Sequence, residues 1–293
     1  MVDVRNIRRS SEFTDRWLGR KQRKHLRMVE NSILKLQNSI EDILTQLSID
    51  KSGRVEGLRV NLKQAQQIHK RIENTFGNKF SRDVRNIIND FKPASKAIER
   101  AYSYLDIAAK FTSVDEKALT ALRDGYYANW LEIGTRKKNE IVQGVYDQVI
   151  GNARFTDLVD TVRNALTTNI AGVPGKSLVQ YSRLYARDLI MDYQRNVNLI
   201  KAQELGFNSF LYVGDIIATT RPFCKTRVGK VYTVGQINSW TYQWAGKKGP
   251  ALHYCGGWNC RHHWQAVKPE WLKGKKKLDI GDWNLEQRNE ALR

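Results

Sequence analysis

The chain has 293 residues, 41% hydrophobic and 27% charged, so it can form two folded domains and is too apolar for a disordered chain. It contains no apolar run near the roughly 18 residues of a membrane span and no signal-peptide core, which predicts a protein that stays in a reducing cytosol. The net charge of +19 favours contact with a polyanion over a merely soluble basic surface.

The cysteines are unevenly distributed along the chain. An odd number of them in a reducing compartment argues against a disulfide scaffold. All three, Cys224, Cys255 and Cys260, lie in the last quarter, and the stretch Ala251–Trp264 holds two of them together with three of the five histidines. This clustering indicates one local site.

Residues 26–72 have the pattern of a helical hairpin. Asp50 to Gly53 separate two amphipathic stretches, and the second covers residues 58–72. We expect two helices that pair antiparallel across a short loop, although the first seam could equally contact another chain. The apolar residues of that seam are spaced alternately three and four residues apart, as in a coiled coil: Leu26, Val29, Ile33, Leu36, Ile40, Ile43 and Leu47.

More helices and no strand are expected up to residue 170. Helices are predicted over about residues 81–91 and 94–110. A longer helix is predicted to begin at a capping box formed by Ser113 to Glu116, and another is predicted to run from a cap at Thr156 to about Thr167. Residues 170–177 match a phosphate-binding loop only at their end and are interpreted as an ordinary loop. A further helix is expected over residues 177–205.

The sequence pattern changes after Gly206, where short strands are expected at residues 207–213 and 230–234. The predicted fold class is therefore α+β. An elongated all-helical N-terminal domain, residues 1–170, would contain the coiled-coil-like hairpin and a basic N-terminal arm. A small mixed α/β C-terminal domain, residues 171–293, would contain short strands, the Cys/His-rich part and a polar tail.

The C-terminal region contains several short sequence blocks in a fixed order. The blocks consist of Asp215, Arg221, Pro222, Cys224, Gly229, Lys230, Val231, Asn259, Cys260, Arg261 and His262. This order resembles the Mu F-like family of phage minor head proteins, also called head morphogenesis proteins. The likeness covers about residues 185–268. The chain departs from the commoner pattern between His253 and Trp258, and it has no second cysteine after Arg261.

The resemblance implies a structural protein of a tailed-phage virion and no enzymatic activity. Such a protein would lie in the head interior or at the portal, after synthesis in the host cytoplasm, and would assist head assembly or genome delivery. Its expected partners are the portal protein, on which it could oligomerise, other head proteins and packaged DNA, with no membrane.

The Cys/His-rich stretch is a candidate zinc site. The candidate ligands are Cys224, Cys255, Cys260 and His262, with His253 or His263 as a substitute for the fourth. Thiolate and imidazole are the ligands that tetrahedral Zn²⁺ prefers, and Gly256 and Gly257 would allow a tight turn between two cysteines. The spacing is not that of a standard zinc knuckle. The alternative is that these are small core cysteines and ordinarily hydrogen-bonded histidines.

Eight basic side chains near the N-terminus are candidate contacts to phosphates without base readout: Arg5, Arg8, Arg9, Arg16, Arg20, Lys21, Arg23 and Lys24.

Two functions other than a structural head protein stay open. One is a metal-dependent nuclease in which a histidine activates water, although no Asp or Glu occurs between Trp240 and Pro269. The other is a zinc-stapled DNA-binding protein outside any virion.

Overall fold

The structure is a computed structural model that describes residues 4–168, 177–240 and 250–272. The predicted α+β class is confirmed, because helices dominate and a small sheet lies near the C-terminus. No helix of the described ranges is long and apolar enough to cross a membrane. The helices are α1 Val4–Leu44, α2 Leu58–Thr75, α3 Ser81–Asn89, α4 Ala94–Ser103, α5 Ser113–Ile150, α6 Phe155–Leu166, α7 Leu178–Glu204, α8 Pro222–Lys225, α9 Val234–Asn238 and α10 Ala251–Tyr254; the strands are β1 Ser209–Val213, β2 Val231–Thr233 and β3 His263–Ala266.

The chain forms two compact units that are each discontinuous in sequence. One, the sheet unit, contains residues 1–22, 91–122 and 187–293; the other, the hairpin unit, contains residues 23–90 and 123–186. The predicted boundary at residue 170 falls in the stretch 169–176, outside the described residues, as does most of the loop at 170–177. The predicted polar tail from residue 273 also lies outside them.

The hairpin unit confirms the predicted antiparallel helical pair. All seven seam residues are buried except Leu26, which is half-buried. Polar contacts between α1 and the segment from α2 to residue 90 are nested, so the two run in opposite directions. The bonded pairs are Ser48 with Asn61 at 2.8 Å, Ser39 with Lys79 at 2.8 Å, Ser32 with Asp83 at 2.6 Å and His25 with Asp90 at 2.8 Å.

Two predicted helix starts are wrong in detail. At α5 the cap is Thr112 and not Ser113: the Asp115 backbone N–H donates to the Thr112 hydroxyl at 3.2 Å, and the Thr112 N–H donates to the Asp115 carboxylate at 2.7 Å. At α6 Thr156 lies inside the helix. The Phe155 N–H is bound instead by the Gly53 carbonyl at 3.0 Å, so a tertiary contact replaces a side-chain cap.

The helix predicted over residues 94–110 is shorter, because α4 ends at Ser103. The backbone of Asp106 has a φ of 54°, in the left-handed region that a helix cannot continue through. The segment that follows is nevertheless fixed, since the buried Lys201 ammonium donates to the Lys110 carbonyl at 2.6 Å and pairs with Asp115 at 3.1 Å.

The sheet unit is built on an antiparallel three-stranded sheet in the order β2, β1, β3. In the central strand all five residues are buried, and Tyr212 lies opposite Trp264 of β3. The first turns of α1 contact β3 through polar groups: the Ser10 hydroxyl donates to Gln265 at 3.3 Å, and Asp15 lies 3.4 Å from His263. The sheet unit therefore draws its core from both ends of the sequence.

Candidate metal centre

Three buried side chains bring their ligand atoms together in the sheet unit. The Sγ of Cys224, the Sγ of Cys260 and a ring nitrogen of His262 all lie within 4.8 Å of one another, the one such group in the described part of the chain. Cys224 comes from α8, whereas Cys260 and His262 come from the loop between α10 and β3. Two blocks of the sequence motif, 36 residues apart, thus meet at one point.

The spacing of these atoms fits a tetrahedral zinc ion. Bonds of about 2.3 Å to sulfur and 2.0–2.1 Å to nitrogen give tetrahedral edges of about 3.8 Å between two sulfurs and about 3.6 Å between sulfur and nitrogen. The two Sγ atoms lie 3.9 Å apart, and the Cys260 Sγ lies 3.5 Å from the His262 Nδ1. The residues present therefore fit a zinc ion without a large rearrangement.

Glycine is needed beside the thiols. A Cβ atom at Gly256 would come within 2.4 Å of the Cys224 Sγ and 3.0 Å of the Cys260 Sγ, so any larger residue there would displace a thiol. The Gly256 N–H donates to the Cys260 Sγ at 3.1 Å. The turn predicted around Gly256 and Gly257 is present, and its backbone has a positive φ at Cys255, Gly257 and Asn259.

Two arginines hold the loop that carries Cys260 and His262. The Arg195 guanidinium of α7, only 3% exposed, donates to the Cys260 carbonyl at 2.7 Å and twice to the His262 carbonyl, at 2.6 and 3.1 Å. The Arg221 guanidinium donates to the Gly256 and Trp258 carbonyls at 3.0 and 2.7 Å. Carbonyls that the loop cannot pair within itself are satisfied in this way.

Helix α7 supplies further polar contacts to the same loop and to β3. The Asp188 carboxylate accepts from the Asn259 N–H at 2.7 Å, and the Asn198 amide donates to the Trp264 carbonyl at 2.9 Å. Asp192 pairs with Arg195 at 2.9 Å. Sequence reasoning did not single out these residues. The sequence nevertheless contains a pattern that could have identified them. Polar residues recur at intervals of three or four and so share one face of a helix that also carries large apolar side chains: Asp188, Asp192, Arg195 and Asn198.

The two thiols differ in acidity. The hydrogen bond with Cys224 is the largest influence on Cys260 and, with His262 and the Arg195 charge, lowers its pKa well below the usual value against the opposing effect of burial. The same bond with Cys260, together with burial, raises the pKa of Cys224. The arrangement corresponds to a Cys260 thiolate that accepts a hydrogen bond from the Cys224 thiol, and a divalent cation would displace that thiol proton.

The other predicted ligands lie apart from this group. Cys255 is fully buried but is not among the residues whose ligand atoms come together, so the predicted set of four is represented by three. The His253 Nδ1 lies 2.7 Å from the Asn196 side-chain oxygen. His263 is also outside the group; burial, together with the charge of Arg195, lowers its pKa to about 3.

The eight basic residues predicted to contact phosphates all lie on α1. Seven are exposed and Lys21 is half-buried. Among them, Arg8 pairs with Glu12 at 3.0 Å and Lys24 pairs with Asp90 at 3.0 Å. In the sheet unit Arg5, Arg9, Arg16 and Arg20 recur at intervals of four and seven residues, which places them on one face of the helix.

Comparisons of the chain with protein-family models, with curated proteins and with solved structures found no match. The resemblance to Mu F-like proteins therefore depends on the motif residues alone.

Zinc affinity should separate the three grouped ligands from Cys255. We expect Cys224→Ala and Cys260→Ala to weaken binding about 100-fold or more, because each removes a thiolate ligand, and Cys255→Ala to change it by less than about tenfold. Competition with a chromophoric chelator measures all three against the unaltered chain. A loss with Cys255→Ala as large as with Cys260→Ala would show that the group of three is not the site.

Proposed function

We propose that the chain is a structural minor head protein of a tailed bacteriophage. It lies at or near the portal, faces packaged DNA and assists head assembly or genome delivery. A zinc ion held by Cys224, Cys260 and His262 closes its sheet unit. The observation that supports this most directly is that Cys224, Cys260 and His262, from two separate blocks of the motif, contact one another.

Several residues of the motif make their contacts within the protein itself. Arg221 hydrogen-bonds two loop carbonyls, Cys224 contacts Cys260, and the Asn259 N–H is bound by Asp188. A motif whose side chains hold a loop in one conformation suits a protein that maintains a shape in an assembly.

The buried group of Cys224, Cys260 and His262, called the metal group below, supports the nuclease alternative less than it supports a structural role. Its three members are between 2% and 6% exposed, and two of them are cysteines. Metal-assisted hydrolysis needs an open coordination position that water and a phosphate can reach. A closed site with sulfur ligands is typical of a structural zinc, which contributes to folding.

The arginine face of α1 supports contact with DNA. With a helical rise of 1.5 Å per residue, Arg5 and Arg20 are about 22 Å apart along the axis, and all four arginines on this face are exposed. Such a row neutralises phosphates without reading bases, which suits a surface that faces packaged DNA of any sequence.

The chain should be a component of DNA-filled heads. We expect an antibody against it to detect the protein in gradient-purified heads of the phage that encodes it, together with the portal. A Cys224→Ala/Cys260→Ala variant should be depleted from the heads because its sheet unit is loosened, whereas Cys255→Ala should be incorporated normally. Absence of the unaltered chain from heads would refute the proposal. Chelator-sensitive plasmid nicking would then favour the nuclease, and DNA binding alone the zinc-stapled DNA-binding protein.

DNA affinity should depend on the arginine face of α1. Replacement of Arg5, Arg9, Arg16 and Arg20 by Ala should weaken binding to duplexes of any sequence and reduce the slope of log affinity against log salt by roughly 3 to 4, since each phosphate contact contributes about 0.9. Fluorescence anisotropy at several salt concentrations measures both.

The matched control replaces four exposed basic residues of α2, Arg59, Lys63, Lys70 and Arg71, by Ala. It removes the same charge, so a general loss of attraction would affect both variants equally. An equal slope in the two variants would show that α1 is not the DNA-binding face.

A further inference from the structure

The hydroxyl of Tyr212 lies beside both thiols of the metal group. It is 3.3 Å from the Cys224 Sγ and 3.8 Å from the Cys260 Sγ. Tyr212 is fully buried in the central strand β1. Cys224, Cys260 and His262 provide three ligands, whereas a closed structural zinc has four.

The hydroxyl has the spacing of a fourth tetrahedral ligand. Bonds of about 2.3 Å to sulfur and 2.0–2.2 Å to oxygen give an edge of about 3.5 to 3.7 Å between sulfur and oxygen. The two observed distances from Tyr212, 3.3 and 3.8 Å, bracket that edge. One hydroxyl at this spacing from two ligand sulfurs can reach the same ion as they do.

The surroundings of Tyr212 fix its ring in this position. The ring is stacked on the imidazole of His262, with centroids 5.3 Å apart and planes 2° from parallel. The Phe223 ring meets it edge-on at 6.3 Å, and Trp264 packs against it at 4.6 Å. Its backbone N–H donates to the Lys230 carbonyl at 3.0 Å. Packing on several sides leaves the hydroxyl little freedom to move away from the thiols.

We propose that the Tyr212 oxygen is the fourth ligand of a zinc ion held by Cys224, Cys260 and His262. This inference depends on the zinc part of the proposed function. When the ion binds, a zinc–oxygen bond forms, the phenol O–H bond breaks, and its proton leaves to solvent together with the remaining thiol proton. The site then has two sulfur, one nitrogen and one oxygen ligands, all from the protein.

Zinc titration followed by ultraviolet difference absorption tests this assignment, because coordination converts a phenol into a phenolate. The unaltered chain should develop the absorption of one phenolate for each zinc bound. Tyr212→Phe should develop none, and its zinc affinity should fall by about 10- to 100-fold. Tyr232→Phe, which removes a phenol from the neighbouring strand β2, should behave as the unaltered chain. Circular dichroism verifies that each variant is folded.

The outcomes separate this inference from the proposed function. If the unaltered chain binds zinc without a phenolate signal, or if Tyr212→Phe keeps the signal, Tyr212 is not a ligand and only hydrogen-bonds the thiols. The zinc site and the head protein proposal then stand. If the unaltered chain binds no zinc, the ligand assignment and the zinc part of the proposed function both fail, whereas incorporation into heads is decided by its own experiment.

Discussion

A buried arginine organises the sheet unit. Arg195 carries a full charge at 3% exposure, and it is tolerated there because its guanidinium bonds the Asp192 carboxylate and the carbonyls of Cys260 and His262. Burial alone would lower the pKa of Arg195, but its electrostatic interactions with Cys255, Cys260 and Asp192 more than reverse this and raise it. Removal of one partner from a buried charged pair typically costs about 3 to 5 kcal/mol.

The loop that holds Cys260 depends on this interaction because it has little regular structure of its own. A positive φ of 47° at Cys255 is unfavourable for a cysteine, and it persists only where surrounding contacts impose it. Arg195 and Arg221 provide those contacts from two sides. With the loop fixed, Cys260 faces Cys224 and Tyr212, and the metal group follows from the position of the backbone.

Much of the helical framework could be predicted, since burial of one helix face leaves a periodic trace in the sequence. The seam from Leu26 to Leu47 predicted a helix and its partner, and Gly206 marked the end of α7. Cys224 was grouped with Cys260 from the ligand chemistry that zinc prefers, because no local pattern relates residues 36 positions apart. Tyr212 could not be recognised as a candidate ligand, since a tyrosine in an apolar strand is usually a core residue.

Hydrogen exchange of the loop tests the role of Arg195 most directly. Arg195→Met should accelerate exchange at residues 255–266 and leave α2 and α3 unchanged, because the carbonyls of Cys260 and His262 lose their donors. Arg195→Lys keeps the charge but cannot bond both carbonyls in the same way, so it should show the same acceleration to a smaller extent, and it serves if the Met variant does not fold. Unchanged exchange at residues 255–266 in a folded variant would contradict the account.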